Sequence, residues 1–577
     1  MAYSNSRRKF LRGFSVTTAA VSAELTLAGC GGSAGAGSVR DAGANAGASA
    51  RVDVQFAHGI ASGDPLADRV MLWTRVSSSS GQDLEVRWEL AEDSNFRTLT
   101  QVGSVTTGAA RDYTVKVDAT GLLPNRVYYY RFRCNDTLSG IGRTKTLAIG
   151  PLDGVKLAVF SCSNYPAGYF NVYAEAVKLN DLDAAVHLGD YIYEYGKDGY
   201  ASQDAAALGR ISDPPNETVT LTDYRRRYAQ YRSDPDLQAL HASVPFIAVW
   251  DDHEFSNDAW SAGARNADPA IEALFIGRRM MAVQAYHEWM PIRPPDENRL
   301  ARIYRSFDFG TLLSLHMLDT RIIGREKQLS YTNYLGAGAT LNTAPFFADV
   351  TNPLRQLMGG EQMAWLNAQL AKSNAPWQIL GQQVLMARTN IPAPLVLQTI
   401  GFSAYLALVA KAEIVPFTLT AAERELLRQP AIPYNLDAWD GYQAEREAVF
   451  ESAKALDKNL VVLSGDTHNA WASDLTDAAG SAVGVEFGGP SVSSPGFEET
   501  FPGEDPDLVA AAMRRFIKTL QYAEAKSRGF IVLTVTPSET RAEYRFVSTV
   551  KARNYTASIG TVLKTLPGVA NRKIVSA

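Results

Sequence analysis

The feature that most constrains this chain is a series of short apolar runs, each followed directly by polar residues. The runs cover residues 155–160, 184–188, 246–250, 312–318 and 460–463. Apolar runs of this length, separated by helical patterns, are typical of buried parallel strands in an α/β sheet. Ligands bind to such sheets in the crevice beyond the carboxyl ends of the strands. We therefore expect the polar residues to meet in one site.

The polar residues that follow the runs carry side chains that bind metals or move protons. They are Cys162; Asp190 and Tyr193; Asp251, Asp252, His253 and Asn257; Asp319 and Arg321; and Asp466 and His468. The thiolate of Cys162, the phenolate of Tyr193 and the imidazole of His468 suit a transition metal, and the anionic donors favour ferric iron. A disulfide between Cys134 and Cys162 is the alternative, which metal binding by Cys162 would exclude.

Oxygen donors in the same set suit a second, harder ion. Asp252, Asn257 and Asp466 have the donor type of a calcium or manganese site. Two cations a few ångströms apart can hold both the attacking and the leaving oxygen of a phosphoryl transfer, and Asp190 is our candidate for the carboxylate that bridges them. The sequence thus predicts hydrolysis of a phosphate ester by in-line attack of a metal-activated water or oxide.

Two further side chains are candidates for direct roles in catalysis. His253 lies next to the predicted ligands and is the candidate for donating a proton to the leaving alkoxide. Its alternative role is that of a hydrogen-bonded structural histidine. Arg321 follows a strand and is the candidate for a bidentate contact with a phosphate oxygen, with a surface salt bridge as the alternative.

The first fifty residues predict export rather than a domain. Arg7 and Arg8 begin a twin-arginine motif, and the apolar stretch 14–29 is too short and too polar to span a bilayer, which needs about 20 apolar residues. The sequence around Cys30 resembles a lipobox, so residues 1–29 are predicted to be a signal peptide; ordinary cleavage with Cys30 incidental is the alternative. The Gly/Ala/Ser-rich segment 30–50 is predicted to be a flexible tether. A lipid at Cys30 would be the expected membrane contact of a periplasmic or cell-surface protein.

Charge and composition exclude some classes of partner. The chain has 56 Lys and Arg against 61 Asp and Glu, and removal of residues 1–29, which hold four bases and one acid, leaves 52 against 60. A net charge of −8 argues against nucleic-acid binding, which needs a basic surface. The expected partners are phosphate-ester small molecules, and the sequence does not specify an oligomeric state.

Two regions with different patterns follow the tether. Residues 51–148 show short alternating strands, and residues 121–130 have the pattern of a tyrosine corner, so this region is predicted to be an immunoglobulin-like or fibronectin-like β-sandwich. Residues 149–577 have the βαβ pattern described above. Within them, a helical, Pro-rich and aromatic region around 321–440 is predicted to be an insertion over a sheet edge.

Several longer motifs resemble those of the PhoD-type alkaline phosphatases, a branch of the calcineurin-like metallophosphoesterases. The matching stretches are 60–65, 73–75, 160–162, 187–196, 250–254, 318–321, 360–366, 439–442, 464–468 and 490–496. They follow one another in the family's order. The resemblance implies a four-layer αββα metallophosphoesterase domain preceded by the β-sandwich.

The resemblance also implies a centre with one iron and one or two calcium ions. It matches the iron ligands to Cys162, Asp190, Tyr193 and His468, and matches calcium-binding positions to Asp190 and Asp466. The segment 251–257 should supply further calcium ligands. For these we favour Asp252 and Asn257, with Asp251 as a rival.

Three functions follow as hypotheses. The first is an exported alkaline phosphatase and phosphodiesterase that releases phosphate. The second is a phospholipase D-like diesterase, which a lipid anchor would hold near its substrate. The third is a surface binding protein without catalytic activity.

Overall fold

The structure is a computed structural model that describes residues 53–78, 81–264, 275–336 and 340–577. The predicted signal peptide (1–29), tether (30–50) and Cys30 lie outside the described residues. Within the described ranges, no α-helix combines the length and the apolar character needed to cross a bilayer.

The strands of the N-terminal region are β1 (Val54–Gln55), β2 (Ile60–Gly63), β3 (Arg69–Arg75), β4 (Ser77–Ser78), β5 (Leu84–Ala91), β6 (Leu99–Thr107), β7 (Thr114–Thr120), β8 (Val127–Cys134), β9 (Thr137–Leu138) and β10 (Gly142–Lys145). The later strands are β11 (Val155–Phe160), β12 (Ala184–His187), β13 (Phe246–Ala248), β14 (Arg305–Phe309), β15 (Leu313–Met317), β16 (Trp377–Gly381), β17 (Asn390–Pro392), β18 (Ala431–Pro433), β19 (Asn459–Ser464), β20 (Ala470–Thr476), β21 (Ala482–Gly488), β22 (Leu520–Glu524), β23 (Arg528–Val535), β24 (Thr540–Val547), β25 (Ala557–Thr565) and β26 (Val575–Ser576).

The α-helices are α1 (Asn171–Val177), α2 (Ala205–Leu208), α3 (Leu221–Arg232), α4 (Pro235–Ser243), α5 (Phe275–Trp289), α6 (Thr343–Val350), α7 (Gly359–Lys372), α8 (Ala393–Val396), α9 (Phe402–Ile414), α10 (Ala421–Arg428), α11 (Gln443–Ala455), α12 (Phe497–Thr500) and α13 (Pro506–Phe516). Local sequence sets several of their starts. Helices α3 and α10 both begin with a capping box, formed by Thr220 with Asp223 and by Thr420 with Glu423.

Two sheets carry the strands that were predicted from the apolar runs. The large sheet has ten strands in the order β26-β25-β24-β23-β11-β12-β13-β2-β3-β7. The second sheet has seven, in the order β14-β15-β16-β19-β21-β20-β22. Strands β11, β12 and β13 are parallel neighbours, and so are β15, β16 and β19, so their carboxyl ends lie at common edges. The predicted α/β fold class is confirmed.

The two sheets share one hydrophobic core. Leu157 and Val186 of the large sheet belong to the same buried cluster as Leu315, Ile379 and Val461 of the second sheet. Residues of α1, α3, α4 and α5 pack into this cluster, whereas α7, α11 and α13 pack with the second sheet in another. The four-layer arrangement implied by the resemblance stays a prediction.

The N-terminal region is β-rich, as predicted, but part of it is continuous with the large sheet. Strand β2 pairs in parallel with β13, where Gly63 lies opposite Phe246, and β3 and β7 extend the edge further. Strands β10, β8, β5 and β6 form a separate sheet with β9 attached, and β1 pairs with β4 in a two-stranded sheet. The hydroxyl of Tyr128 accepts a hydrogen bond from the backbone N–H of Leu123 at 2.9 Å, as in a tyrosine corner. Assignment of this region as an immunoglobulin-like sandwich stays a prediction.

The region predicted to be one insertion, around 321–440, is divided by a core strand. Strand β16 (Trp377–Gly381) lies between β15 and β19 inside the second sheet. All five of its residues are buried. Only the segments on either side of β16 can therefore lie outside the sheet, and the domain boundaries stay predictions.

Candidate metal centre

Backbone hydrogen bonds join the loops after β11 and β12 of the large sheet, and the loop after β19 of the second sheet packs against them. The N–H groups of Cys162 and Ser163 donate to the carbonyl oxygens of Gly189 and Asp190, at 3.2 and 2.9 Å. The loop after β19 approaches so closely that a Cβ on Gly465 would lie 2.7 Å from Cβ of Ser161. The predicted strand-end residues of the two sheets thus lie in one place.

Four of the predicted ligands form a first group. Ligand atoms of Cys162, Asp190 and His468 lie within 4.8 Å of one another. The hydroxyl of Tyr193 donates to Oδ2 of Asp190 at 3.0 Å and lies 3.1 Å from Nε2 of His468. Thiol, carboxylate, phenol and imidazole therefore converge from positions 306 residues apart along the chain (162 to 468).

The hydrogen bonds of His468 fix which ring nitrogen faces this group. Nδ1 lies 2.7 Å from the carbonyl oxygen of Pro495 and 3.1 Å from the hydroxyl of Tyr200. A carbonyl oxygen only accepts, so Nδ1 carries the proton and Nε2 presents a lone pair toward Tyr193. Burial lowers the pKa of His468 to about 3, which leaves the ring neutral, as a metal ligand must be.

Carboxylates form a second group beside the first. Ligand atoms of Asp251, Asp252 and Asp466 lie within 4.8 Å of one another. Asp190 belongs to a further group with Asp252 and His253, in addition to its place beside Cys162 and His468. Its carboxylate thus lies between the two sets of donors, as expected of a bridging ligand.

The charges around the second group do not balance. Arg321 bonds to Asp251 through Nε, to Asp437 through Nη1 at 2.5 Å and to Asp466 through Nη2 at 2.8 Å. Arg325 also pairs with Asp437. With Asp252 included, four carboxylic groups face two guanidinium groups, so a bound divalent cation would neutralise the two additional carboxylates in their ionised form.

The pKa shifts of the buried acids have the direction expected of a site built for cations. Burial raises the pKa of Asp190 and Asp251 well above the usual range and raises that of Asp466 to about 7. Burial also raises the pKa of the Cys162 thiol, and Asp190 adds to the effect. A bound cation reverses this effect because it favours the ionised form of each ligand. The residues present therefore fit a pair of metal ions.

The geometry favours Asp252 over its rival Asp251. Oδ1 of Asp251 accepts a hydrogen bond from Nε of Arg321. Oδ1 of Asp252 is buried and accepts no hydrogen bond from the residues described. Burial opposes ionisation of Asp252, but Arg321 and His253 lower its pKa to about 2.

The backbone N–H of Asn257 donates a hydrogen bond to Oε1 of Glu194 at 2.8 Å. Ligation by its side-chain amide stays a prediction.

His253 lies at the centre and is held in one orientation. Its Nδ1 lies 2.7 Å from Oε2 of Glu194, and its ring stacks on Tyr193 with centroids 4.2 Å apart. Burial opposes a charge on this ring, but Asp252 and Glu194 raise its pKa well above the ordinary value. These carboxylates favour the protonated imidazole, which is the form that a general acid needs.

Arg321 is a buried residue of the centre. Its side chain is 0% exposed, which does not fit the alternative of a surface salt bridge. Its Nε, Nη1 and Nη2 atoms all bond to carboxylates, as described above. Its predicted contact with a substrate phosphate stays a prediction.

The backbone at the centre is held in an unusual conformation. Cys162, Asp190, Asp466 and His468 have φ angles of 61°, 53°, 62° and 64°. Residues other than glycine seldom adopt positive φ, at a cost of about 1–3 kcal/mol each, and such residues cluster at functional sites. The strand-end loops thus accept strain in the conformation that brings the donors together.

Several residues that support the centre were not assigned a role from the sequence. The carboxylate of Glu194 is hydrogen-bonded to Nδ1 of His253. The carboxylate of Glu254 accepts hydrogen bonds from the backbone N–H groups of Asp190, Tyr191 and Asp251. Ser494 donates to the hydroxyl oxygen of Tyr193 at 2.7 Å. Both glutamates lie inside sequence motifs that resemble those of the PhoD-type family, and this position was the only sequence signal for their supporting role.

Cys134 and Cys162 are both free and buried, so the alternative of a disulfide between them is wrong.

Fold and site together define a class of protein. The two sheets bring buried and half-buried thiol, imidazole, phenol and carboxylate donors to one edge, and these donors form adjoining groups with the composition of metal sites. The protein has the organisation of a metal-dependent enzyme.

Comparison with known proteins identifies the family. A family model described as PhoD-like phosphatase matches residues 157–544, and one described as its N-terminal domain matches residues 42–148. Alkaline phosphatase D of Bacillus subtilis (strain 168) is 36% identical over 513 residues, which cover 85% of this chain and 77% of the relative. A solved structure of PhoD superposes with a TM-score of 0.73 at 33% identity, covering 90% of this chain and 92% of that one. The chain belongs to the PhoD-like phosphatase family. The resemblance inferred from the motifs is confirmed, and the protein is a phosphatase enzyme.

Proposed function

We propose that this enzyme hydrolyses phosphate monoesters and diesters at the centre formed by the strand-end loops. The observation that carries the proposal is the convergence of Cys162, Asp190, Tyr193 and His468 beside the carboxylate group of Asp252 and Asp466. Membership in a phosphatase family argues against the alternative of a binding protein without activity.

The donor sets support different ions. Cys162, Tyr193 and His468 would hold ferric iron, while Asp252, Asn257 and Asp466 would hold calcium, with Asp190 between the two. When bound, such a pair of cations lowers the pKa of a water molecule and neutralises charge on the phosphoryl oxygens. The ions are inferred from donor type and from the family resemblance.

His253 is the proposed general acid. In the reaction, the oxygen of water forms a bond to phosphorus in line with the ester P–O bond that breaks. The proton of His253 goes to the departing alkoxide, which leaves as an alcohol; of the two protons of the attacking water, one stays on the phosphate and the other returns to the imidazole. Support for this role is the ring's position against Tyr193 and its hydrogen bond to Glu194, which keeps Nδ1 engaged and leaves Nε2 to face the leaving group.

Arg321 is proposed to act through the carboxylates that it binds. Because its nitrogens bond to Asp251, Asp437 and Asp466, the guanidinium orients these acids and lowers their mutual repulsion. We propose this positioning role in place of the predicted contact with phosphate.

Hydrolysis of diesters and export are separate parts of the proposal. Rates with p-nitrophenyl phosphate and with its bis-ester measure monoesterase against diesterase activity, and a strong preference for the bis-ester would support the phospholipase D-like alternative.

The twin-arginine motif and the lipobox-like sequence around Cys30 support export to the periplasm or cell surface. Replacement of Arg7 and Arg8 by Lys should keep the enzyme in the cytoplasm, as cell fractionation would measure; unchanged export would contradict this part.

The substitution Asp190→Asn tests the function. It removes one negative charge from the residue that both donor groups share, so we expect kcat to fall by at least about a thousandfold with the far-UV circular dichroism unchanged. Asp349→Asn is the matched control, because Asp349 bonds to Tyr334 on the surface segment around α6. Hydrolysis by Asp190→Asn at the wild-type rate would contradict the proposal.

A further inference from the structure

A cleft of about 520 Å³ lies between the separate N-terminal sheet and helices α1 and α4. Strands β8 and β10, with the loops beside them, form one wall, and α4 with the segment between α1 and β12 forms the other. None of the predicted metal ligands lines it, so the cleft is distinct from the metal centre. Its volume falls within the range of small-molecule binding sites, about 300–1,000 Å³.

The walls of the cleft are mainly apolar. Four aliphatic side chains come from the region of α1, β12 and α4, namely Val177, Leu179, Leu182 and Val244. Ile141, just before β10, adds a fifth and is 48% exposed, while Val177 and Leu179 are half-buried. An alkyl group bound in the cleft would remove this apolar surface from water, which favours binding.

A single positive charge accompanies the apolar walls. Among the described residues, Arg143 is the only charged one that lines the cleft. Its Nη1 atom donates a hydrogen bond to the carbonyl oxygen of Ser243 at 3.4 Å, which places the guanidinium at the end of α4. Within the described part of the chain, Nε and Nη2 form no hydrogen bond and the guanidinium forms no ion pair.

The acids of the segment between α1 and β12 already have partners outside the cleft. Asp181 pairs with Lys156, and Asp183 pairs with Lys145 at 2.6 Å. The positive charge in the cleft is therefore available to an anionic ligand. A ligand that suits both features combines one negative charge with an alkyl chain.

We propose that this cleft binds an aliphatic anion of the medium-chain alkyl carboxylate type. The two carboxylate oxygens accept hydrogen bonds from Nε and Nη2 of Arg143, whose planar fork matches their spacing. The alkyl chain lies against Leu179, Leu182 and Val244. The site is separate from the proposed function, because binding involves no residue of the metal centre and no chemical step.

Octanoate and octanamide test the role of the charge, since they have the same alkyl chain and only octanoate is ionised at pH 8. We expect isothermal titration calorimetry of the purified protein to show one octanoate site, at concentrations below micelle formation, and weaker binding of octanamide. Arg143→Met should weaken octanoate binding by about fivefold, the effect of one partly exposed ion pair, and leave octanamide binding unchanged. Arg111→Met is the matched control: Arg111 is exposed before β7 and does not line the cleft, so both ligands should bind as in the wild type.

A second variant tests the cleft without using its charge. Ala239 lies on α4, lines the cleft and is exposed, so Ala239→Trp should fold and fill part of the space. We expect this variant to lose binding of both ligands with the far-UV circular dichroism unchanged. The inference is overturned if octanoate does not bind the wild type, if octanamide binds as tightly as octanoate, or if either cleft variant binds octanoate like the wild type. Hydrolysis of p-nitrophenyl phosphate reports on the metal centre alone, so the proposed function is tested separately.

Discussion

Single side chains in the centre depend on partners that hold them in one state. Glu194 illustrates this, because its two oxygens bond to different parts of the same loop: Oε2 to Nδ1 of His253 and Oε1 to the backbone N–H of Asn257. The side chain of Glu194 is 0% exposed, so its charge acts on the imidazole without screening by water. The proposed general acid is therefore oriented by a residue that has no direct part in the proposed reaction.

The substitution Glu194→Gln should separate this positioning role from metal binding. Loss of the carboxylate removes a stabilising partner of the His253 imidazolium, so we expect kcat to fall by about 10- to 100-fold while metal content and KM stay close to wild type. Steady-state kinetics with elemental analysis of the same samples would measure this. Glu217→Gln is the matched control, since Glu217 pairs with Arg278 and does not bond to His253. An unchanged kcat in Glu194→Gln would remove His253 from the proposed mechanism.

At the level of elements, the apolar runs predicted the core strands well. The run 155–160 is β11, and the run 246–250 contains β13 (Phe246–Ala248). Strand β6 (Leu99–Thr107) was not predicted, because its sequence is rich in Thr, Ser and Gln and lacks a continuous apolar face. Pairing of β2 with β13 joins residues far apart in the chain, and local patterns carry no signal for such contacts.

The site could be predicted as a set of residues but not as a network. Position after a buried strand was enough to select Cys162, Asp190 and His468, because the carboxyl ends of parallel strands share an edge. Sequence spacing gives no distances, so the bonds of Arg321 to three carboxylates and the support from Glu254 required coordinates.

The turn after β12 should be the least tolerant of these connections. Gly189 has φ 111°, and a Cβ at this position would lie 2.4 Å from Cβ of Asp251. We expect Gly189→Ala to lower the free energy of unfolding by about 3 kcal/mol or more, because it adds both backbone strain and overlap. Urea unfolding followed by circular dichroism would measure the change.

Gly209→Ala is the control for the turn. Gly209 also has positive φ, at 67°, but a Cβ there would meet no atom within 4 Å. We expect it to cost about 1 kcal/mol, from the backbone alone. Equal losses in the two variants would mean that the close approach of Asp251 does not constrain the turn.

On the scale of the whole molecule, three of the N-terminal strands, β2, β3 and β7, are part of the large sheet. Asp64 reinforces the connection between these strands and the rest of the sheet. Its Oδ1 and Oδ2 atoms accept hydrogen bonds from Arg305 at 2.7 and 2.9 Å. Oδ2 also accepts a hydrogen bond from the backbone N–H of Arg293 at 2.6 Å. Because Asp64 and Arg305 are both buried, this ion pair ties the two regions where water cannot screen it.

The substitution Asp64→Asn should destabilise the protein as a unit. It leaves the guanidinium of Arg305 buried without its counter-charge, so we expect a loss of about 3–5 kcal/mol in a single unfolding transition. Asp68→Asn is the control, because its pair with Arg69 is exposed and should contribute little to stability. Two separate transitions, or equal losses in both variants, would contradict the structural continuity of the two regions.

The most direct test of the account is the metal content of the purified protein and of its Cys162→Ala variant. A ferric ion held by Cys162, Tyr193 and His468 predicts about one iron per wild-type chain, accompanied by calcium, with iron and phosphatase activity both lost from the variant and its fold retained. Zinc as the sole bound metal, at the same content in both proteins, would contradict the central claim that this thiol belongs to the reacting centre.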